Sequence, residues 1–424
     1  MRIINARWLT PQGYFEEGTI DIEQGRIARL HLGRQTDNAA GDVLDARGYL
    51  ILPGMIDPHV HFREPGQLYK EGIRNGSKAA LKGGVTTVID MPNNHPPITT
   101  PARLQEKRLR FEKKSLVNYG LMFHASAKLY ALDGTAKSVK IFMARSSSLS
   151  SINNESALRR IFAHYRRVSI HAEDESVFNE DSNRRLPHHE RRPRAAIKEA
   201  LSKIERTLRS LPAEQRPRVV ICHVTTSDDV HWITRMKAEG FDVWAETAPH
   251  YLFFTQEDYL RKGALLQVNP PIRTEQDRQA LRQALRQGTI DFIGTDHAPH
   301  TPAEKQSSHP PSGIAGIEWA VPLLLHLMDE GLIHWEQLHR LTCTNASRCY
   351  EIKDRDGIKK GNWADLIFVK RSVDQSLNRR VRTRAGTNVY ADMGCCWQVE
   401  RTLVNGIVKY EKGKFINEQP GKAV

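Results

Sequence analysis

The chain has 424 residues, well beyond the ~100–150 of an average domain and enough for a barrel of ~250 residues with a second unit attached. Hydrophobic residues at 39% and charged residues at 26% suit a globular protein with a large core, and no apolar run of about 18 residues is present, which excludes a helical membrane span. Lys and Arg outnumber Asp and Glu by 62 to 49, but the local clusters at Lys107–Lys114, Arg184–Arg194 and Arg379–Arg384 do not interleave aromatic residues in the way that single-strand binders do. They read as solvated helix faces and loops that favour an anionic small substrate, not a nucleic acid.

The opening residues MRIINARWLTPQGYFEEG contain no apolar h-region, so no secretory leader is expected and a cytoplasmic location is. TIDIEQGRIARLHLG and DVLDARGYLILPG then read as short alternating strands with Gly turns. Beyond them β-branched runs alternate with helical stretches such as Gly72–Lys82, Glu155–Tyr165 and Ala195–Ser210. The strand candidates are 51–60, 84–91, 117–124, 138–143, 167–172, 218–224, 241–246 and 290–296. Strands and helices in alternation predict an α/β architecture, a (β/α)8 TIM-like barrel over 53–349. ADLIFVK and CWQVERTLVNGIVKYEKGKF near the other end have the texture of the first residues. Residues 1–52 and 350–424 are therefore expected to form one small composite β domain from both termini. The five cysteines form no CxxC pair and read as reduced thiols.

Nearly every candidate strand ends in a polar residue of catalytic type: His59 and His61, Asn93, His124, Lys140, His171, His223, Glu246 and Asp296. In barrels of this kind, side chains from different strands converge at the C-terminal rim. His59-Val60-His61 places two imidazoles on one face of a strand, about 6.5–7 Å apart, a spacing that suits one metal ion. His171 and His223 offer neutral nitrogen ligands. Asp296, in TDHAPH, offers a carboxylate that can touch a metal and accept a proton from its water, whose pKa zinc lowers toward ~7. Alternation in SVKIFM turns Lys140 inward with Phe142 and turns Val139, Ile141 and Met143 outward. An inward lysine beside metal ions makes chemical sense if its amine has reacted with CO2 to give a carbamate, whose negative oxygens can bridge two ions. The spacing does not itself show that modification.

PGMIDPHVHFREPG, KGGVTTVIDMPNNHPP, VKIFM, SIHAE, ICHVTTSDDV, ETAPHYL, NPPIRTEQDRQAL and GTDHAPHTPAEK follow one another from about Asn5 to Lys409. In this order they resemble the dihydroorotases of the cyclic amidohydrolase superfamily, in the binuclear branch with a metal-bridging lysine. The resemblance implies a (β/α)8 barrel with a β domain built from both termini, and the reversible cyclisation of N-carbamoyl-L-aspartate to L-dihydroorotate in pyrimidine (UMP) biosynthesis. It implies one zinc on His59, His61 and Asp296, a second on His171 and His223, and a carboxylated Lys140 bridging them. Asp296 is then general acid and base. Arg63, Asn93 and His300 match residues that bind the substrate carboxylate, where a planar guanidinium suits a bidentate grip. Asn269 matches a pyrimidine contact and Gly313 a backbone contact, although Ser312 stands where the family commonly has Phe. A homodimer is expected, and an aspartate transcarbamoylase partner is the kind of companion such chains have. The hydroxyl-rich Ala144–Ser150 segment reads equally as a substrate lid or as a polar loop, and Glu246–His250 reads as structural.

Allantoinases, hydantoinases and dihydropyrimidinases share the metal ligands. Arg63 with Asn93 argues against a neutral ring, which would leave a buried guanidinium unpaired at considerable cost. Allantoinase is the nearest enzymatic alternative. The other is a silent dihydroorotase-like scaffold for a transcarbamoylase, which should have lost metal ligands that this chain keeps.

Overall fold

The structure is a computed structural model that describes all residues except 34–41, 127, 133, 135, 146–150, 180–185 and 379–380. Residues 146–150 of the hydroxyl-rich segment thus lie outside the described residues, as do Arg184 and Arg379 of the basic clusters.

Five strands come first: β1 (Arg2–Leu9), β2 (Phe15–Glu23), β3 (Arg26–Leu32), β4 (Val43–Asp45) and β5 (Leu50–Pro53). Eight more follow: β6 (Met55–Val60), β7 (Val85–Asp90), β8 (Asn118–His124), β9 (Ser138–Phe142), β10 (Arg167–His171), β11 (Arg218–Ile221), β12 (Val243–Thr247) and β13 (Phe292–Ile293). The last four are β14 (Leu366–Arg371), β15 (Trp397–Val404), β16 (Ile407–Glu411) and β17 (Lys414–Phe415). Strands β6 to β13 make one eight-stranded sheet in sequential order. Its pairings are parallel throughout. The two ends meet where Val60 bridges His297 and the His61 N–H donates to the His297 carbonyl at 2.9 Å. This is the expected barrel. The remaining strands form a nine-stranded sheet in which β5 joins β1 to β14, so that both termini build it together.

One expected strand divides. The 51–60 run is two strands, β5 in the terminal sheet and β6 in the barrel, broken at Gly54. The reason is contact: a Cβ on Gly54 would lie 2.2 Å from the Thr86 side chain, and its N–H donates across to the Asp365 carbonyl at 2.9 Å. The chain passes from one sheet to the other at the residue that can come this close to β7.

Helices cover the barrel's outer face. Helix α1 (Ile73–Lys82) starts after Gly72 at φ 91, α2 (Pro101–Lys114) starts at a Thr100 cap with Pro101 in its first turn, and α3 (Glu155–His164) starts at an Asn154 cap. Small capping side chains here satisfy N–H groups that the helix cannot. Val139, Ile141, Met143, Val168, Ile170, Val219 and Ile221 point outward from their strands into the core beneath these helices. Inside the barrel Ile56, Ile89, Met122, Val220, Phe292 and Tyr350 form an apolar plug. The site therefore rests on a packed, mainly apolar floor. The basic cluster in α2 departs from the solvated reading at Lys107. That side chain is fully buried; its ammonium pairs with Asp90 and donates to the Met91 carbonyl at 2.6 Å and to Asn94 Oδ1 at 2.9 Å. Helical spacing points it at the ends of β7 instead of at water. Among the described residues no helix is long and apolar enough to cross a membrane.

Candidate metal centre

His59 and His61 end β6 and both turn into the barrel mouth. The Nδ1 of His59 lies 2.5 Å from Glu246 Oε1, and the Nδ1 of His61 lies 2.7 Å from Asn93 Oδ1. With each Nδ1–H given to an oxygen, each Nε2 keeps a lone pair. Both Nε2 atoms face the same Asp296 oxygen, at 3.3 Å for His59 and 3.0 Å for His61. Three electron-rich atoms so converge with no donor assigned between them, which is the signature of a cation site.

The second pair is built the same way. His171 ends β10 and gives its Nε2 to Glu173 Oε2 at 3.1 Å, which leaves Nδ1 facing His223 Nε2 at 3.0 Å. The far nitrogen of His223 and the second oxygen of Glu246 are buried without a hydrogen-bond partner among the described residues. The rings of His59 and His223 are 5.4 Å apart, so the two pairs share one cavity. Lys140 is completely buried, with Nζ 2.9 Å from Cys222 Sγ. It points inward as its strand's alternation requires, and its charge acts on His59, His171 and His223 together.

Burial, reinforced by Lys140 and neighbouring rings, holds His59 and His223 far below the usual imidazole range. Burial likewise lowers His171. All three are neutral and available as ligands. Burial works against charge on Asp296, whereas positive charge at His59, His61 and His223, or at a cation that takes its place between them, holds the carboxyl well below the usual carboxylate range. Burial pushes Glu246 up to about 8. The donor set fits metal ions: neutral imidazoles, one carboxylate and oxygen atoms behind the rings to fix their tautomers.

Backbone geometry aims these groups. Arg63, His223 and Asp296 have φ of 62, 40 and 45, conformations that L residues seldom adopt and that cluster at functional sites. Gly294 lets β12 and β6 close over the centre, because a Cβ there would lie 2.7 Å from Glu246 and 2.8 Å from His59.

Arg63 and His300 also come together. Arg63 is buried, its NH2 lies 3.1 Å from His300 Nε2, and its Nε has no partner among the described residues. Asn93 meets His61. Asn269 is half-buried, with Oδ1 3.0 Å from His188 Nε2. The N–H of Gly313 donates to the Gln267 carbonyl at 2.8 Å, so the backbone contact expected of Gly313 can use only its carbonyl. Sequence reasoning missed Glu173, Lys70 and the part Glu246 plays beside His59. Glu246 stood at a strand end among the other polar strand ends and Glu173 closed the SIHAE segment, which were the signals available; Lys70 had none.

The amidohydrolase family model matches residues 50–408. Among curated proteins, the dihydroorotase of Pyrococcus horikoshii is 35% identical over 413 residues, covering 96% of this chain and 92% of that one. The dihydroorotase of Pyrococcus furiosus is 33% identical over 411 residues with the same coverage, and that of Bacillus cytotoxicus 30% identical over 421 residues, covering 96% and 97%. Among solved structures, L-hydantoinase from Arthrobacter aurescens superposes with a TM-score of 0.88 at 23% identity, over 99% of this chain and 98% of that one. Dihydropyrimidinase from Brevibacillus agri superposes at 0.87 and 22% identity, over 100% and 98%. At such identities these structures speak for the fold alone, and the fold is the barrel with its terminal sheet described above. The family is generally metal-dependent, in keeping with the clustered His59, His61 and Asp296. This chain belongs to the amidohydrolase family and groups, within it, with the dihydroorotases.

Proposed function

We propose that the chain is a dihydroorotase, closing N-carbamoyl-L-aspartate to L-dihydroorotate in pyrimidine synthesis and reopening the ring in reverse. The observation that carries this reading is Arg63. It is a buried guanidinium at the end of the metal-binding strand, and among the described residues it pairs with no carboxylate. A buried cation of this kind calls for an anion from outside the chain, and both N-carbamoyl-L-aspartate and L-dihydroorotate carry the carboxylate it needs. Hydantoin and dihydrouracil carry none.

His59, His61 and Asp296 would hold one zinc ion and His171 and His223 a second, with Lys140, once carboxylated, supplying further oxygen ligands. Bound there, zinc supplies Lewis acidity and a hydrolytic nucleophile at neutral pH. Arg63 and His300 hold the substrate carboxylate, with Asn93, Asn269 and the Gly313 carbonyl as further polar contacts. Asp296, held as a carboxylate by the positive charge it faces, takes the proton from the attacking water and returns it to the departing ring nitrogen. In the closing direction Asp296 takes the proton from the ureido nitrogen as the C–N bond forms and returns it to the departing carboxyl oxygen, which gains a second proton from solvent and leaves as water.

The test is turnover of both compounds by purified protein whose metal content is measured on the same sample. Activity with about two zinc per chain, falling roughly 10²–10⁴-fold in Asp296→Ala, is expected. Full metal loading with no turnover in either direction would sink the reading.

A further inference from the structure

The imidazole of His300 is touched by three groups that it cannot satisfy together. Lys70 Nζ lies 3.1 Å from its Nδ1, while the Ser312 carbonyl and Arg63 NH2 both lie 3.1 Å from its Nε2. An ammonium can only donate, so Nδ1 must carry the lone pair. The proton then sits on Nε2, where it is donated to the Ser312 carbonyl. That tautomer meets two of the three contacts and leaves the third, from Arg63, facing an N–H with no acceptor. The opposite tautomer meets only the Arg63 contact. Arg63 and the His300 Nε2–H so stand side by side, and an incoming acceptor that meets Arg63 can share the His300 proton with the Ser312 carbonyl.

Lys70 is itself held in place. It is buried at 5% exposure and paired with Glu304 at 2.8 Å. Glu304 in turn receives the Thr301 N–H at 2.9 Å and the Tyr69 hydroxyl at 3.1 Å. Burial and the nearby cations Arg63, Lys70 and Lys305 disfavour protonation of His300, so the ring stays neutral and its tautomer is a real choice.

We propose that Lys70 is a positioning residue that sets the polarity of the anion pocket, forcing His300 to present an N–H beside Arg63 and so selecting substrates that bring a carboxylate. Lys70 does not touch the substrate; it acts through His300. The proposal rests on the dihydroorotase reading for its substrate but not for its geometry, and the experiment separates the two.

Lys70→Met and Lys70→Arg are compared with wild type in KM and kcat for N-carbamoyl-L-aspartate and in inhibition by succinate, a simple dicarboxylate. Lys70→Met is expected to raise KM and the succinate inhibition constant about tenfold with kcat changed by less than about threefold. Lys70→Arg, also a pure donor, is expected to restore most of the affinity. Unchanged KM and inhibition in Lys70→Met, a fall confined to kcat, or an arginine variant as impaired as the methionine variant would each overturn the proposal. If Lys70→Met does not fold, Glu304→Gln, which releases the ammonium, is expected to shift the same two constants in the same direction, and a variant indistinguishable from wild type counts against it. If wild type turns over neither substrate, the dihydroorotase reading fails by itself. Calorimetric binding of succinate then decides the role of Lys70: about tenfold weaker binding in Lys70→Met upholds it, and equal affinity or no binding to wild type overturns it.

Discussion

Glu246 and Glu71 show what burial does to single carboxyl groups, one beside the site and one away from it. Glu246 acts on the centre through its Oε1, which is engaged by His59 Nδ1 at 2.5 Å and by the His223 N–H at 3.3 Å. It fixes the ring that faces Asp296. Partners of this kind tune metal affinity, and Glu246→Ala is expected to weaken it by roughly 10–100-fold. Metal retained per chain during dialysis against a graded chelator measures this, and retention equal to wild type would remove Glu246 from the centre's support. Glu71 is buried and accepts from the Arg384 N–H at 3.2 Å and from the Thr383 hydroxyl. Burial pushes its carboxyl up to about 7. The folded state therefore holds this proton more tightly than the unfolded chain does. Its stability contribution is fullest below the ordinary glutamate pKa of ~4.3 and declines as pH rises through about 7, by ~3 kcal/mol in all. Glu71→Gln removes the ionisation and should flatten that part of the urea-unfolding free energy between pH 5 and 8. A slope identical to wild type would mean that Glu71 does not titrate in this range.

Strand ends and the turns after them decide where the chemistry points. Asp90 closes β7 and accepts the Phe62 N–H at 2.7 Å, while Lys107 of α2 pairs with the same carboxylate and holds the Met91 carbonyl. One buried ion pair so anchors both the segment carrying His61 and Arg63 and the segment carrying Asn93. The turn before Gly313 is equally tight. Gly313 has φ 147, and a Cβ there would lie 2.3 Å from the Ala298 carbonyl oxygen and 3.1 Å from the His300 ring. Gly313→Ala must push the Ala298 carbonyl aside and crowds the His300 ring. The expected result is a loss of about 1–3 kcal/mol in denaturant unfolding, with KM for the carboxylate substrate raised more than kcat is lowered. A variant with wild-type stability and KM would show that this turn can relax without disturbing His300.

Across the whole molecule the two sheets are joined by a buried polar knot. Asp365 pairs with Arg355, receives the Asn405 N–H at 2.7 Å from the terminal sheet, and receives Asn118 Nδ2 at 3.1 Å from the barrel. Asn405 also donates to Asn118 Oδ1 at 2.8 Å. Arg355 and Asp365 are both buried. Asp365→Ala leaves the guanidinium in place without its countercharge, and breaking a buried pair in this way costs about 3–5 kcal/mol. Chemical denaturation followed by a barrel tryptophan and by far-ultraviolet signal should show one earlier transition in both. A shift below about 1 kcal/mol, the range of a surface pair, would mean that the knot is solvated and the sheets are joined by other contacts.

The barrel, its strand order and the convergence of His59, His61, Lys140, His171, His223 and Asp296 were legible in the chain because each depends on local pattern. Period-two alternation points Lys140 inward whatever surrounds it, and a polar residue ending each apolar run must reach the same rim once the strands lie parallel. Shared segments of a known family carried the proposed reaction. Other features were decided only by the tertiary structure, because they depend on contacts between residues far apart in sequence. The break at Gly54 follows from Thr86 and Asp365, and the burial of Lys107 follows from Asp90. The support that Glu246 and Glu173 give the imidazoles, and the grip of Lys70 on His300 across 230 positions, have no local signature. A carboxylate or ammonium reads the same in solvent and in a barrel mouth until the fold removes the water around it.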